Sequence, residues 1–360
     1  MYDVSLPRCC SSTFSTQQLL SHPDFERLCA KLKQHAGIID EKDAIVALKT
    51  FTYLGVPSTT TIYQIVLQLV RHNINNMTLN EIIFLEFLLA KVNPNALVDA
   101  LRIALPIVFQ VQLPVKMRGA SPLRLAEYLL FAAKQKLPKT SVNLIVDELM
   151  TYRGRELEPK VAMSIVWSLC DAEYDEYHEK LFSTVLQCLI SNYDKLSFSD
   201  LDNTLTKLAF KYSIRYPMYY DEVFFDICGN AVVDEDKGFE MGSFFFTKFL
   251  RVGHVHGNLI NYMLEKIAEN PSLVTCGDPQ AIYSVVCNLA MVEQRPEKIQ
   301  TFREIMMSIR NFDFFEKKHL HFVKFTMSLC VLDLYIPYVL GKCFNEQYMG
   351  EVRAGGKFKS

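Results

Sequence analysis

A unit of about forty residues returns along most of this chain, and a repeat of that length leaves few folds open. Signals for the start of a helix recur at about residues 41, 78, 121, 158, 197, 238, 277 and 317, at intervals of 37 to 43 residues. Asp40 precedes one apolar stripe. Thr78-Leu79-Asn80-Glu81 and Ser197-Phe198-Ser199-Asp200 have the form of capping boxes, and Ser121-Pro122 and Asp278-Pro279 set a capping residue before a proline at the first helical position. Inside the units the apolar residues fall at helical spacing, as do Val161, Ile165 and Leu169 with Ala162 and Val166 beside them. The first helix of most units stops at a proline, namely Pro57, Pro94, Pro138, Pro217, Pro296 and Pro337, because the residue before proline is driven out of the α region. The sixth unit has Gly253 and Gly257 there instead.

Two helices of about fifteen residues and two short turns fill such an interval. The expected fold is therefore all-α, an α-solenoid of about eight helix-pair repeats of roughly 37–43 residues. An irregular helical protein with the same mean spacing is the alternative, and the recurring proline argues against it. The run LPIVFQVQLPV from Leu105 to Val115 alternates enough to be a strand; it reads instead as the end of a second helix passing into an irregular loop. The expected organisation is a leader and first helix over 1–35, a helical-repeat domain over 36–350 and a frayed basic tail over 351–360. Within the repeat domain, VKMRGA at 115–120 is the best candidate break.

Composition narrows the function. Half the residues are apolar and 22% are charged, enough for a large core. A net charge of −2 and a pI near 6.5 give no global attraction to polyanions, so nucleic acid would have to be met by a local basic face. Cys170, Cys188, Cys228, Cys287, Cys330 and Cys343 sit singly in apolar stretches, as buried free thiols do, and Cys9-Cys10 lies in a Ser-rich leader with no partners nearby in sequence. The most apolar stretch, from Ala100 to Val115, is interrupted by Arg102, Pro106 and Pro114, so no membrane insertion is expected. The leader has Arg8 as its one cation and also carries Asp3, which makes it weak as a targeting signal.

Catalytic motifs are missing. Phosphoryl transfer needs a Gly-rich loop, a paired lysine, an aspartate and metal ligands; Gly355-Gly356-Lys357 comes nearest, but Phe358 stands where a metal-binding hydroxyl belongs. His254/His256 and His319/His321 are pairs two apart, which on a helix point about 200° away from each other and cannot share an ion. The first pair lies at a Gly-flanked turn, where chelation is less constrained. The acidic groups Asp171, Glu173, Asp175, Glu176 and Glu179, and Asp234, Glu235 and Asp236, read as solvated helix ends that RNA would avoid. No catalytic residue, metal or cofactor is expected.

The later turns of the first helices are basic. Lys49, Lys91, Lys134, Lys136, Lys207, Lys211, Arg215, Lys248, Arg251 and Lys324 would form a discontinuous stripe along a phosphate backbone if those helices share one side, with Tyr128, Tyr212 and Phe249 as candidate stacking partners for bases. Lysines on the exposed face of amphipathic helices, and aromatics in the core, give the same pattern.

Three phrases are more specific: ALKTFTYLGVP from Ala47 to Pro57, VWSLCDAEY from Val166 to Tyr174 and FTMSLCVLDLYIP from Phe325 to Pro337. They resemble the FAST kinase domain-containing family, in which such phrases recur through a long helical region, and residues 277–344 resemble its first FAST subdomain. Members of that family continue into a second FAST subdomain and a C-terminal RAP domain with a nuclease-like α/β fold. This chain ends before either, as a fragment, a truncated product or a divergent member would, and RAP activity is not carried over. The resemblance implies a protein of the mitochondrial matrix that binds single-stranded RNA, governs processing or stability of mitochondrial transcripts and meets other RNA-processing proteins. The competing expectation is an interaction scaffold that takes a peptide or helix in the solenoid groove.

Overall fold

In the computed structural model, residues 18, 20–35, 38–152, 157–275, 278–292, 296–309, 319–346 and 350 are described. The chain is all-α, with no strand among the described residues, and it forms two compact units, residues 1–152 and 153–360. The leader, including Cys9-Cys10, and the basic tail lie outside the described residues.

The first unit holds α1 (Pro23–His35), α2 (Glu41–Tyr53), α3 (Thr61–Asn73), α4 (Leu79–Leu89), α5 (Ala96–Lys116), α6 (Pro122–Lys134) and α7 (Lys139–Met150). Two of its start signals cap through their side chains, while Ser121 stands at the N-cap before Pro122 without a side-chain cap bond. The Asp40 carboxylate accepts the Asp43 N–H at 2.8 Å, and Thr78 and Glu81 close both halves of a capping box, with Glu81 accepting the Thr78 N–H at 2.7 Å. The helices alternate between two layers: α2, α4 and α6 neighbour one another in turn, as do α1, α3, α5 and α7. Leu48 and Phe51 of α2, Leu67 of α3, Leu85 of α4 and Leu129 of α6 are wholly or almost wholly buried by this arrangement.

Helix α5 corrects the sequence reading. The expected loop is helical, and α5 runs for 21 residues through both Pro106 and Pro114. A proline inside a helix costs about 3 kcal/mol. The buried stripe of Leu101, Leu105, Phe109 and Leu113 outweighs that locally, and the far end is tied down by Gln112 and Lys116, which donate to the Asn75 and Met77 carbonyls at 2.8 and 2.6 Å. The opposite stripe of Ile103, Ile107, Val111 and Val115 is 57 to 77% exposed. Among the described residues α5 is the one helix long and apolar enough to cross a membrane, although its inner stripe is part of the unit's core.

The second unit holds α8 (Pro159–Asp171), α9 (Glu179–Ser191), α10 (Phe198–Lys211), α11 (Glu222–Asp234), α12 (Gly238–Val252), α13 (Gly257–Glu269), the short α14 (Ser272–Thr275), α15 (Pro279–Leu289), α16 (Ile299–Ser308), α17 (His319–Val331) and α18 (Pro337–Cys343). Here α8, α10, α12, α15 and α17 form one succession of neighbours, and α9, α11, α13 and α16 the other. Phe224, Phe225, Phe245, Phe246 and Phe249 are buried between them. The eight expected first helices are thus α2, α4, α6, α8, α10, α12, α15 and α17, each followed by a partner, as a helical repeat requires.

The period also appears in the side chains that join successive pairs. The Trp167 indole N–H donates to Thr204 Oγ1 at 2.8 Å, and the Asn288 amide donates to the Phe246 carbonyl at 3.0 Å. Their partners lie 37 and 42 residues away, one repeat in each case. Cys170, Cys188, Cys228, Cys287 and Cys343 are buried free thiols, and Cys330 is partly exposed. Burial pushes Cys170 up to about 12, so it stays protonated and unreactive at neutral pH.

Candidate nucleic-acid interface

Cations favour helix C-termini, where the unpaired carbonyls carry partial negative charge. In the first unit this gathers the C-terminal ends of α2 and α4. The Lys49 ammonium lies 5.8 Å from the centre of the Phe84 ring, and the Lys91 ammonium lies 4.2 Å from Phe87 and 5.4 Å from Tyr53. Both rings beside Lys91 face solvent, Tyr53 at 44% and Phe87 at 46% exposure. Lys134, in the last turn of α6, and Lys136, in the following turn with a left-handed φ of 50°, are exposed as well. Among the described residues no ion pair joins these four lysines to a carboxylate.

The second unit treats its cations differently. Lys207 pairs with Asp171 at 2.5 Å, and Lys211 donates to the Ala172 carbonyl at 2.9 Å, both reaching back from α10 to the end of α8. Lys248 of α12 pairs with Asp202 of α10 and lies 4.7 Å from the Phe245 ring centre; its side chain is only 13% exposed. Arg251 stacks 4.5 Å from the centre of Phe210, which is itself 63% exposed. Arg215 and Lys324 are exposed. The structure therefore brings Lys207 together with Lys211 at the end of α8, while Lys248 and Arg251 reach separate points of α10, and Lys207 and Lys248 are already neutralised by aspartates of the preceding repeat.

The stacking candidates divide in the same way. Tyr128 and Phe249 are 5% and 0% exposed and belong to the core, so they offer no face to a base; Tyr212 is partly exposed. Solvent-facing rings beside cations include Tyr53, Phe87, Phe210 and Tyr338, which the sequence reading passed over. A signal for two of them was present, since Phe87 and Tyr53 stand four residues from Lys91 and Lys49, the spacing that puts helical residues on one face.

His254 and His256 form a buried polar cluster. His254 Nε2 lies 3.3 Å from Asp226 Oδ1 without hydrogen-bond geometry, His256 Nε2 lies 4.0 Å from the same oxygen, and the Tyr220 hydroxyl is 3.1 Å from His254 Nδ1. His256 Nδ1 accepts the Leu259 N–H at 3.0 Å, so this ring caps α13. Among the described residues no group of three or more His, Cys, Asp or Glu is placed to hold a metal ion. His321 lies ring against ring with Tyr283, centres 5.0 Å apart. Of the acidic residues, Asp236 accepts from the Tyr262 hydroxyl at 2.6 Å and pairs with Lys266, and Glu235 pairs with Lys237, while Gly355-Gly356-Lys357 lies outside the described residues.

Burial holds both histidines below the ordinary value of 6.5, against the opposing pull of the Asp226 carboxylate. The unfolded chain therefore binds more protons than the folded one once pH falls below that value. Their contribution to stability is complete above about pH 6.5 and is lost as pH falls below it. Denaturation of the second unit, followed by emission of Trp167, the chain's single tryptophan, is expected to need less urea at about pH 5.5 than at about pH 7.5. His256→Asn should remove part of that difference; an unchanged pH dependence would show that the ring does not titrate with folding.

No family model matches the chain. It is similar to FAST kinase domain-containing protein 2, mitochondrial, of Mus musculus, with 29% identity over 99 residues. That stretch is 28% of this chain and spans 14% of the length of the mouse protein. The likeness supports a distant relation to the FAST kinase domain-containing proteins and no finer assignment.

Proposed function

We propose that the chain binds single-stranded RNA where the first helices of each unit end, and that it serves processing or stability of mitochondrial transcripts in the matrix without a catalytic site of its own. The family resemblance, together with the partial likeness to a mitochondrial FAST protein, supplies the ligand class. The observation that carries the interface is Lys91 held between the exposed rings of Phe87 and Tyr53, with Lys49 alongside and Lys134 and Lys136 exposed in the next first helix and its turn. A cation beside two solvent-facing rings offers a phosphate contact and a stacking surface together, which is the chemistry of sequence-tolerant binding to single strands. Lys207 and Lys248 take a lesser part, because a phosphate would have to displace Asp171 or Asp202.

The test is fluorescence anisotropy of a labelled single-stranded RNA with the full chain at low salt. Lys91→Glu combined with Phe87→Ala should weaken binding by about tenfold and flatten its salt dependence. Charge reversal at Lys207 should do less. Absence of RNA affinity at low salt, or affinity indifferent to the Lys91 and Phe87 changes, sinks the proposal. The competing scaffold reading is favoured by the exposed aliphatic stripe of α5, which RNA has no use for.

A further inference from the structure

The connectors of the second unit carry a feature that RNA binding does not use. Between α8 and α9 the chain makes a 3-10 turn at Glu176–His178, and between α10 and α11 it makes another at Pro217–Tyr219. Aromatic contacts hold the two connectors together. The Tyr174 and Tyr216 rings lie 4.2 Å apart, and Phe182 meets Tyr219 edge to face at 5.3 Å. Between the turns and the start of α9 lies a groove of about 590 Å³. Its lining is mixed: Met218 and the ring of Tyr220 give it a half-buried apolar side backed by the buried Phe182 and Leu186, while Ser183, Glu176, Glu179 and Asp221 line it against one cation, Lys180.

We propose that this groove docks a basic segment of a protein partner, taking an apolar side chain against its apolar side and lysine or arginine side chains against its carboxylates. Long basic side chains suit both surfaces, since an aliphatic stem lies along apolar atoms while the charged head meets carboxylates. The groove is also within the size range that binds small groups and short peptide side chains. Two nearby phenols are raised, with the surrounding carboxylates among the causes. Tyr174 is pushed up to about 12, first because its hydroxyl donates to Glu179 Oε1 at 2.9 Å and further by the Glu176 charge. Tyr220 is raised by burial and then by Glu222, Asp226 and Asp221. The same carboxylates repel a phosphate backbone, which is why a protein rather than RNA fits here. A metal ion would leave the apolar side unused, and the described residues place no metal-holding cluster there.

The probe is a short fluorescein-labelled peptide with a leucine between two arginines, titrated into the full chain and read by anisotropy. Saturable, salt-sensitive binding is expected. Glu176→Lys should weaken it by about tenfold, and Lys180→Glu should tighten it by a similar factor. A peptide with serine in place of leucine should bind more weakly, and one with glutamates in place of arginines should not bind. Glu176 is exposed and caps no helix, so its variant is expected to melt like the parent when followed by Trp167 emission. RNA affinity should be the same in both groove variants, which keeps this outcome separate from that of the RNA interface. The inference is overturned if the parent chain does not bind the basic peptide, if Glu176→Lys binds it as well as the parent, or if the glutamate peptide binds equally.

Discussion

Phe249→Ala is expected to destabilise the second unit by about 3–5 kcal/mol, the usual range for removing a fully buried phenylalanine. The ring is 0% exposed and central: it lies 5.8 Å from Phe225, 6.2 Å from Phe245, 4.7 Å from His254 and 6.1 Å from His256, centre to centre. Removing it takes away the apolar area it buries and leaves a cavity whose walls come from α11, α12 and the turn before α13. Those walls cannot close easily, because His256 is fixed by its cap on Leu259 and Phe225 and Phe245 are themselves held by other contacts. Phe249→Leu keeps most of the volume and should lose clearly less. Trp167 makes the measurement specific, since it lies in α8 of this unit and is the only tryptophan in the chain. A loss under about 1 kcal/mol in urea denaturation would mean that the ring is not in the core. The expectation also bears on function, because a residue that reads as a base-stacking candidate in the sequence is here the centre of the fold.

That contrast shows what a single sequence carries. The repeat was legible because its marks are local: Asp40, Thr78 and Ser197 cap helices from their own side chains, and a proline recurs in the connector after most first helices, several residues past the helix end. Helix α5 was misread for the same reason. Pro106 and Pro114 are local signals to stop, and they are overridden by the burial of Leu105, Phe109 and Leu113 against other helices, which no local window reveals. The candidate site was legible only as composition. Lys207 and Lys248 look like any exposed lysine, and the aspartates that pair with them lie 36 and 46 residues away. Tyr128 and Tyr53 have the same amphipathic chemistry, and only tertiary contacts bury the first and leave the second in solvent. Of the acidic cluster Asp171, Glu173, Asp175, Glu176 and Glu179, which reads in the sequence as solvated helix ends, Glu176 and Glu179 line the groove beside α9, and its apolar side comes from Met218 and Tyr220 of the next connector.

Gly229→Ala separates local from tertiary reasoning most sharply, because the two predict opposite signs. Gly229 lies inside α11, and a glycine in a helix interior is less stable than alanine by about 0.5–1 kcal/mol, so propensity alone predicts a gain. A methyl group there would sit 2.6 Å from His256 Cδ2 and 2.7 Å from its Nε2, well inside van der Waals contact. The imidazole has no simple retreat: its Nδ1 accepts the Leu259 N–H, and its other flank faces the His254 and Phe249 rings. Overpacking of this kind costs about 1–3 kcal/mol, which exceeds the gain in propensity. The double variant tests the cause. His256→Asn removes the ring while keeping a side chain that caps helices well, so in that background Gly229→Ala should be neutral or stabilising. A cycle of the four proteins, followed by Trp167 emission in urea, should give a coupling between the two sites of at least about 1 kcal/mol. If Gly229→Ala stabilises the parent chain, or carries the same penalty with asparagine at position 256, the close approach of α11 to the His256 ring is wrong. A coupling of the expected size would instead establish that glycine at 229 is required by the neighbouring repeat and not by its own helix.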